Sequence, residues 1–138
     1  GCKETGIPYK CTNPDFHRVY PEDKPLSEEE YRHVLSHSKI MVSPIYEMST
    51  GGMFLFEGAM WEKPILASNS PYMGVVDYLE DSIAYFQWDD FEDFKDKLVR
   101  VYNGEIKTDT KKAKALVEAN RDPMNFALMV DKRLKEIL

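Results

Sequence analysis

Residues Ser43 to Asn69, S-P-I-Y-E-M-S-T-G-G-M-F-L-F-E-G-A-M-W-E-K-P-I-L-A-S-N, decide the reading of this chain. Gly51 and Gly52, preceded by Ser49 and Thr50, open a run that is apolar at nearly every position and predicts a buried helix over 51–61. A β-branched signal follows directly and predicts a strand over Pro64–Ser68. A glycine turn feeding a helix N-terminus is a seat for an anion, because the first backbone N–H groups have no helical partner. Gly51 and Gly52 let a bulky anion approach the backbone with no Cβ in the way, and Ser49 and Thr50 can cap the helix or donate hydroxyls. Glu57 alone interrupts the middle of the helix. A buried acid needs a partner, either a basic side chain or a ligand hydroxyl. It lies roughly 7.5 Å beyond Gly52 at about 1.5 Å per residue. A carboxylate there suits a vicinal diol, since each hydroxyl donates and the carboxylate only accepts.

Working outward, P-L-S-E-E-E-Y-R-H-V-L-S-H-S opens on a capping box, with Ser27 as N-cap and Glu30 three residues on. Tyr31, Val34, Leu35 and Ser38 then share one helical face. Lys39–Ser43 reads as a short buried strand stopped by Pro44, and Ile45–Thr50 as the loop that follows it. A short strand is expected over His17–Tyr20, a short helix over Gly74–Leu79 and a strand over Ile83–Phe86. Asp89 is expected to cap a helix whose stripe is Phe91, Phe94, Leu98, Val101 and Tyr102, with Gly104 as its stop and Asp93 pairing with Lys97. Two further helices close the chain, one carrying Ala113, Leu116 and Val117, the other starting at Asp122-Pro123 with Phe126, Val130, Leu134 and Ile137. Continuously apolar strands alternating with helices predict an α/β fold, a Rossmann-like parallel sheet flanked by helices, with a helical C-terminal end. Ligands of such sheets bind outside the carboxyl ends of the strands, where loops lead into helix N-termini.

The 138 residues suit one domain with one sizeable core. A composition 43% hydrophobic and 30% charged is that of a globular protein. A net charge of −6 argues against a nucleic-acid surface, which runs on phosphate neutralisation by Lys and Arg. Backbone amides can still seat a local phosphate. Cys2 and Cys11 form no zinc framework and read as reduced thiols of a cytoplasmic protein, with a disulfide between them left open. No membrane span and no signal peptide are recognised.

Other chemistries fit less well. His33 and His37 are four apart on a helix with Glu30 nearby, but their angle opposes the apolar face and directs them to water. The acidic run W-D-D-F-E-D-F-K-D-K reads as the solvated side of an amphipathic helix. The Met and Phe crowd at 53–60 reads as core rather than a lipid pocket. Neither a Gly-x-Ser-x-Gly elbow nor a Walker A lysine is present, which disfavours a Ser-His-Asp hydrolase and a P-loop NTPase.

Three blocks, Y-R-H-V-L-S-H-S-K-I-M-V-S-P, S-T-G-G-M-F-L-F-E-G-A-M-W-E-K-P-I-L-A-S-N and V-V-D-Y-L-E-D-S-I-A-Y-F, resemble the donor-binding domain of GT-B retaining glycosyltransferases, the glycogen synthase-like group. The likeness covers roughly residues 17–104, and the middle block is its specific part. It implies half of a GT-B enzyme of hexosyltransferase type, which takes a nucleotide-diphosphate sugar as donor and moves the glycosyl group to an unknown acceptor (a sugar, lipid or protein). By the resemblance, Glu57 contacts the ribose and the turn of Thr50, Gly51, Gly52 and Met53 lies at the diphosphate. The family's first glutamate, which contacts the donor sugar, falls on Ser49, with Glu47 two residues earlier. The base falls near the turn after Tyr20. No cofactor or metal is required. The family's first strand and helix, with their Arg and Lys, have no counterpart here, so residues 1–138 are expected to be one incomplete donor-binding domain. An N-terminal acceptor domain or a partner chain would complete it. Two other classes remain open: a non-catalytic nucleotide- or protein-binding module of the same fold, and a flavodoxin-like small-ligand or receiver domain.

Overall fold

The computed structural model describes residues 2–8, 26–43, 53–70, 79–121 and 135. Three short strands form a parallel sheet in the order β1 (Met41–Ser43), β2 (Ile65–Ser68), β3 (Ala84–Phe86). Met41 pairs with Ile65 in the first register and Leu66 with Ala84 in the second. The helices whose bounds lie among the described residues are α1 (Cys2–Thr5), α2 (Glu28–His37), α3 (Met53–Met60), α4 (Phe91–Tyr102) and α5 (Thr110–Arg121), with a 3-10 turn at Glu80–Ser82. The fold is mixed α/β, with helices on both faces of a small parallel sheet.

The sheet's period of two divides its side chains between two cores. Met41, Ile65 and Ala67 enter one core with Leu35, Leu55, Phe56, Ala59, Leu79, Ala113 and Val117. Leu66, Ala84 and Phe86 enter the other with Phe94, Leu98 and Val101. All four residues of the central strand β2 are buried, as the unbroken apolar run predicts. Helices α2, α3 and α5 thus cover one face and α4 covers the other, with α5 packed along α3.

Local signals account for the helix ends. Ser27 caps α2 through the reciprocal capping box with Glu30. Helix α3 stops at a Schellman turn, in which Lys63 N–H donates to the Gly58 carbonyl at 3.0 Å and Glu62 N–H to the Ala59 carbonyl at 2.9 Å. Its left-handed position is filled by Glu62, at φ 51°, rather than by glycine. Helix α4 ends the same way, with Gly104 at φ 77° and Glu105 N–H donating to the Arg100 carbonyl at 2.8 Å. Asp109 caps α5 by accepting Lys112 N–H at 2.9 Å.

Some expectations are corrected. Asp89 does not cap α4. It takes a left-handed turn at φ 61°, and the next residue, Asp90, accepts Asp93 N–H at 2.9 Å as the N-cap. Asp93 does not pair with Lys97, because its carboxylate accepts Gln87 N–H at 2.6 Å. The ion pairs within α4 are instead Lys95 with Glu92 and Arg100 with Asp96. Phe91 is 44% exposed and leaves the core stripe to Phe94, Leu98 and Val101. Helix α3 is not buried all round, since Met60 and Trp61 at its end are each 44% exposed. The strand expected at His17–Tyr20, the helix ahead of Leu79 and the helix from Asp122 lie outside the described residues, apart from Lys135, which is helical. Among the described residues no helix is long and apolar enough to cross a membrane.

Three substitutions test this geometry. Asp90→Ala is expected to cost about 1 kcal/mol in denaturant unfolding, as loss of a side-chain cap does. Asp89→Gly, which relieves a left-handed backbone, should leave stability unchanged or raise it by up to about 1 kcal/mol. The opposite ranking would return the cap to Asp89. Gly58 lies where an added Cβ would stand 3.0 Å from Met41 Sδ and 3.3 Å from Ile65 side-chain carbons. Gly58→Val should therefore lower stability by about 1–3 kcal/mol despite the better helix propensity of valine.

Candidate functional site

The site develops from α3. Its contact with the sheet runs through Gly58, and the next position back carries Glu57, half-buried among Leu55, Phe56 and Ala59. A carboxylate in that setting must be hydrogen-bonded or lose its charge. Tyr31, on the core-facing stripe of α2, donates its phenolic hydrogen to Glu57 Oε2. The Tyr31 ring packs against the core that α2 and α3 share, so ring burial and the polar tip are satisfied together. A second link lies one turn beyond, where Lys63 Nζ donates to the Ser36 carbonyl at 2.6 Å near the C-terminal end of α2. Lys63 therefore serves a helix end, Arg32 of α2 pairs with Glu28, and Glu57 pairs with a neutral phenol.

Electrostatics follow from that choice. Burial first, then the hydrogen bond to Glu57 and its negative charge, hold the Tyr31 phenol well above the ordinary tyrosine range. The phenol stays protonated and remains a donor to the carboxylate throughout the neutral range. Glu57 Oε1 makes no hydrogen bond among the described residues. The pair thus presents a carboxylate oxygen and the Tyr31 oxygen lone pairs, which are acceptors only. Among the described residues no cation pairs with Glu57.

Of the site residues expected from the sequence, Glu57 is placed on α3 as anticipated, and Met53 opens that helix. Glu47, Ser49, Thr50, Gly51 and Gly52 lie outside the described residues. Tyr31 is the residue the sequence reading passed over, because it counted only as a member of the α2 stripe. The available signal was a phenol at the edge of an apolar face, with an isolated acid on the following helix.

Elsewhere on the carboxyl edge, the segments after β2 and β3 are tied together. Asn69 accepts Trp88 N–H at 2.7 Å and donates to Gln87 Oε1 at 3.1 Å. His33 and His37 are exposed, as expected, and stack with ring centroids 4.1 Å apart. Among the described residues no group of three or more His, Cys, Asp or Glu side chains is placed to hold a metal ion.

No protein-family model, curated protein or solved structure matches the chain.

The Tyr31–Glu57 bond has a measurable alkaline signature. A phenol whose pKa is raised on folding binds its proton more tightly in the native state than in the unfolded one. Its contribution to stability is complete below about pH 10 and is lost as the pH rises past that value. Tyr31→Phe should therefore be less stable than the unaltered chain by on the order of 1 kcal/mol at pH 7. The gap should shrink above about pH 10. Urea unfolding of both proteins at neutral and alkaline pH measures it, and a gap that stays constant would remove the bond.

Proposed function

We propose that the chain is the donor-binding part of a GT-B-type glycosyltransferase, a Rossmann-like domain that takes a nucleotide-diphosphate sugar and passes the glycosyl group to an acceptor. The observation that carries this reading is the half-buried Glu57 on the helix that follows the first strand of a parallel sheet, bonded to a hydroxyl and not to a base. An acid satisfied by a cation would have little reason to meet a ligand. One satisfied at a single oxygen by a neutral donor keeps acceptor capacity for a sugar hydroxyl.

In this reading backbone amides near Thr50, Gly51 and Gly52 hold the diphosphate at the mouth of the helix and stabilise the charge of the leaving group. Glu57 accepts from the ribose. Ser49 and Glu47 approach the donor sugar, and an acceptor domain or partner chain supplies the opposite wall of the cleft. Helix amides and basic side chains carry the charge without a metal. The setting is the cytoplasm, where nucleotide sugars are made available to such enzymes.

A second reading has its own support. Ser49 stands where the resembling family has a glutamate, and a neutral, shorter side chain cannot accept a proton or balance developing positive charge as a carboxylate does. A module that binds the nucleotide without turnover fits that substitution. Calorimetric titration with UDP, GDP, ADP and their sugars tests the shared element of both readings. One nucleotide should bind, and Glu57→Ala should weaken it about tenfold, the equivalent of one lost hydrogen bond to a charged group. Absence of binding to every nucleotide sinks the donor site. Hydrolysis or transfer of the bound donor's sugar, lost in Glu47→Ala, separates transferase from module.

A further inference from the structure

We infer that Tyr31 is part of the ribose-binding surface, and that a vicinal diol is read by the Tyr31–Glu57 pair, one hydroxyl by each residue. The inference rests on the reading that Glu57 faces the ribose. It departs from the simple picture in which one carboxylate accepts both hydroxyls, because Glu57 Oε2 already accepts from Tyr31.

The hydrogen-bond inventory leads there. A carboxylate with both oxygens open can take a diol in a bidentate manner, as it takes a guanidinium. Here one of those oxygens receives the phenolic hydrogen, and crowding a second donor onto it would weaken both bonds. The phenol oxygen, having donated its only hydrogen, retains lone pairs that accept. It lies within hydrogen-bond distance of Oε2, so the Tyr31 oxygen and Glu57 Oε1 are two acceptors held on one rigid pair. Donation by Tyr31 to a carboxylate also polarises the phenol and makes its oxygen a better acceptor for the next donor in the chain.

Rigidity comes from both sides. The Tyr31 ring packs against the shared core, Glu57 rides on the helix seated at Gly58, and the Lys63–Ser36 bond holds the far end of α2 against the α3–β2 connection. An acceptor pair fixed in this way discriminates well. A ligand that lacks one hydroxyl leaves an acceptor unpaired in a half-buried place, which costs affinity at that hydroxyl alone.

The probes are the tightest-binding of UDP, GDP and ADP together with its 2′-deoxy and 3′-deoxy forms. The unaltered chain should bind each deoxy form about tenfold more weakly than the parent nucleotide. In Tyr31→Phe one of the two penalties should disappear and the other persist, a change that a purely structural role for the phenol would not produce. In Glu57→Ala the complementary penalty should disappear. Retention of both penalties by Tyr31→Phe overturns the inference and leaves the nucleotide site standing. Should Tyr31→Phe fail to fold, Glu57→Ala decides, because loss of both penalties there assigns the diol to Glu57 alone. Failure of the unaltered chain to bind any nucleotide overturns the donor-site reading, and this inference with it.

Discussion

The close seat of α3 on the sheet is the constraint from which the rest follows. At Gly58 the helix has no Cβ, and the space a Cβ would fill is already bounded by Met41 of β1 and Ile65 of β2. The helix therefore lies nearer the strands than a larger residue allows, and the close fit fixes its rotation about its own axis. About 100° separates consecutive positions on a helix. With Gly58 against the strands, Leu55, Phe56 and Ala59 are swept into the core, and Glu57 turns to a half-buried flank beside α2. The depth of the carboxylate is thus set by a glycine contact with β-strand side chains and by no feature of the acid itself.

Once Glu57 is placed there, the choice of partner governs what the site can do. A lysine or arginine would give a neutral ion pair with its donors and acceptors matched, of uncertain worth to stability once both charges lose water. A tyrosine costs less to bury and adds no charge of its own. The same phenol, held protonated by burial and by Glu57, stays a donor across the whole neutral range. The arrangement holds both side chains in one geometry and leaves acceptor capacity on the pair.

What could be read from the chain alone was the part governed by neighbours in sequence. The capping box at Ser27 and Glu30, the stop at Gly104 and the continuous apolar run of β2 are local patterns, and each appears as expected. The cap of α4 failed by one residue because two adjacent aspartates, Asp89 and Asp90, both suit the position. The choice fell to the backbone, which turns left-handed at Asp89 and presents Asp90 to the Asp93 amide. Asp93 could pair with Lys97 along the helix, yet a backbone N–H of the preceding turn, from Gln87, claims its carboxylate at 2.6 Å. The partner of Glu57 was illegible for a different reason. Tyr31 is 26 residues away, and its spacing within α2 says only which face it joins. A period of 3.6 residues predicts that a phenol enters a core, not which polar group meets its hydroxyl.

The carboxyl edge of the sheet divides in the same terms. After β2 and β3 the described segments are closed on one another: Asn69 N–H donates to the Phe86 carbonyl at 3.0 Å, the Asn69 side chain bridges Gln87 and the Trp88 amide, and Asp93 takes the Gln87 amide. These groups satisfy one another and stiffen the edge, since drawing one of them out would strand its partner. Beside β1 the balance differs. There α3 carries an acid whose one partner among the described residues is a neutral donor, and one of its oxygens makes no hydrogen bond among them. Under the proposed reading, a ligand on the β1–α3 side of the edge would complete the hydrogen bonding of Glu57, whose position Tyr31 holds.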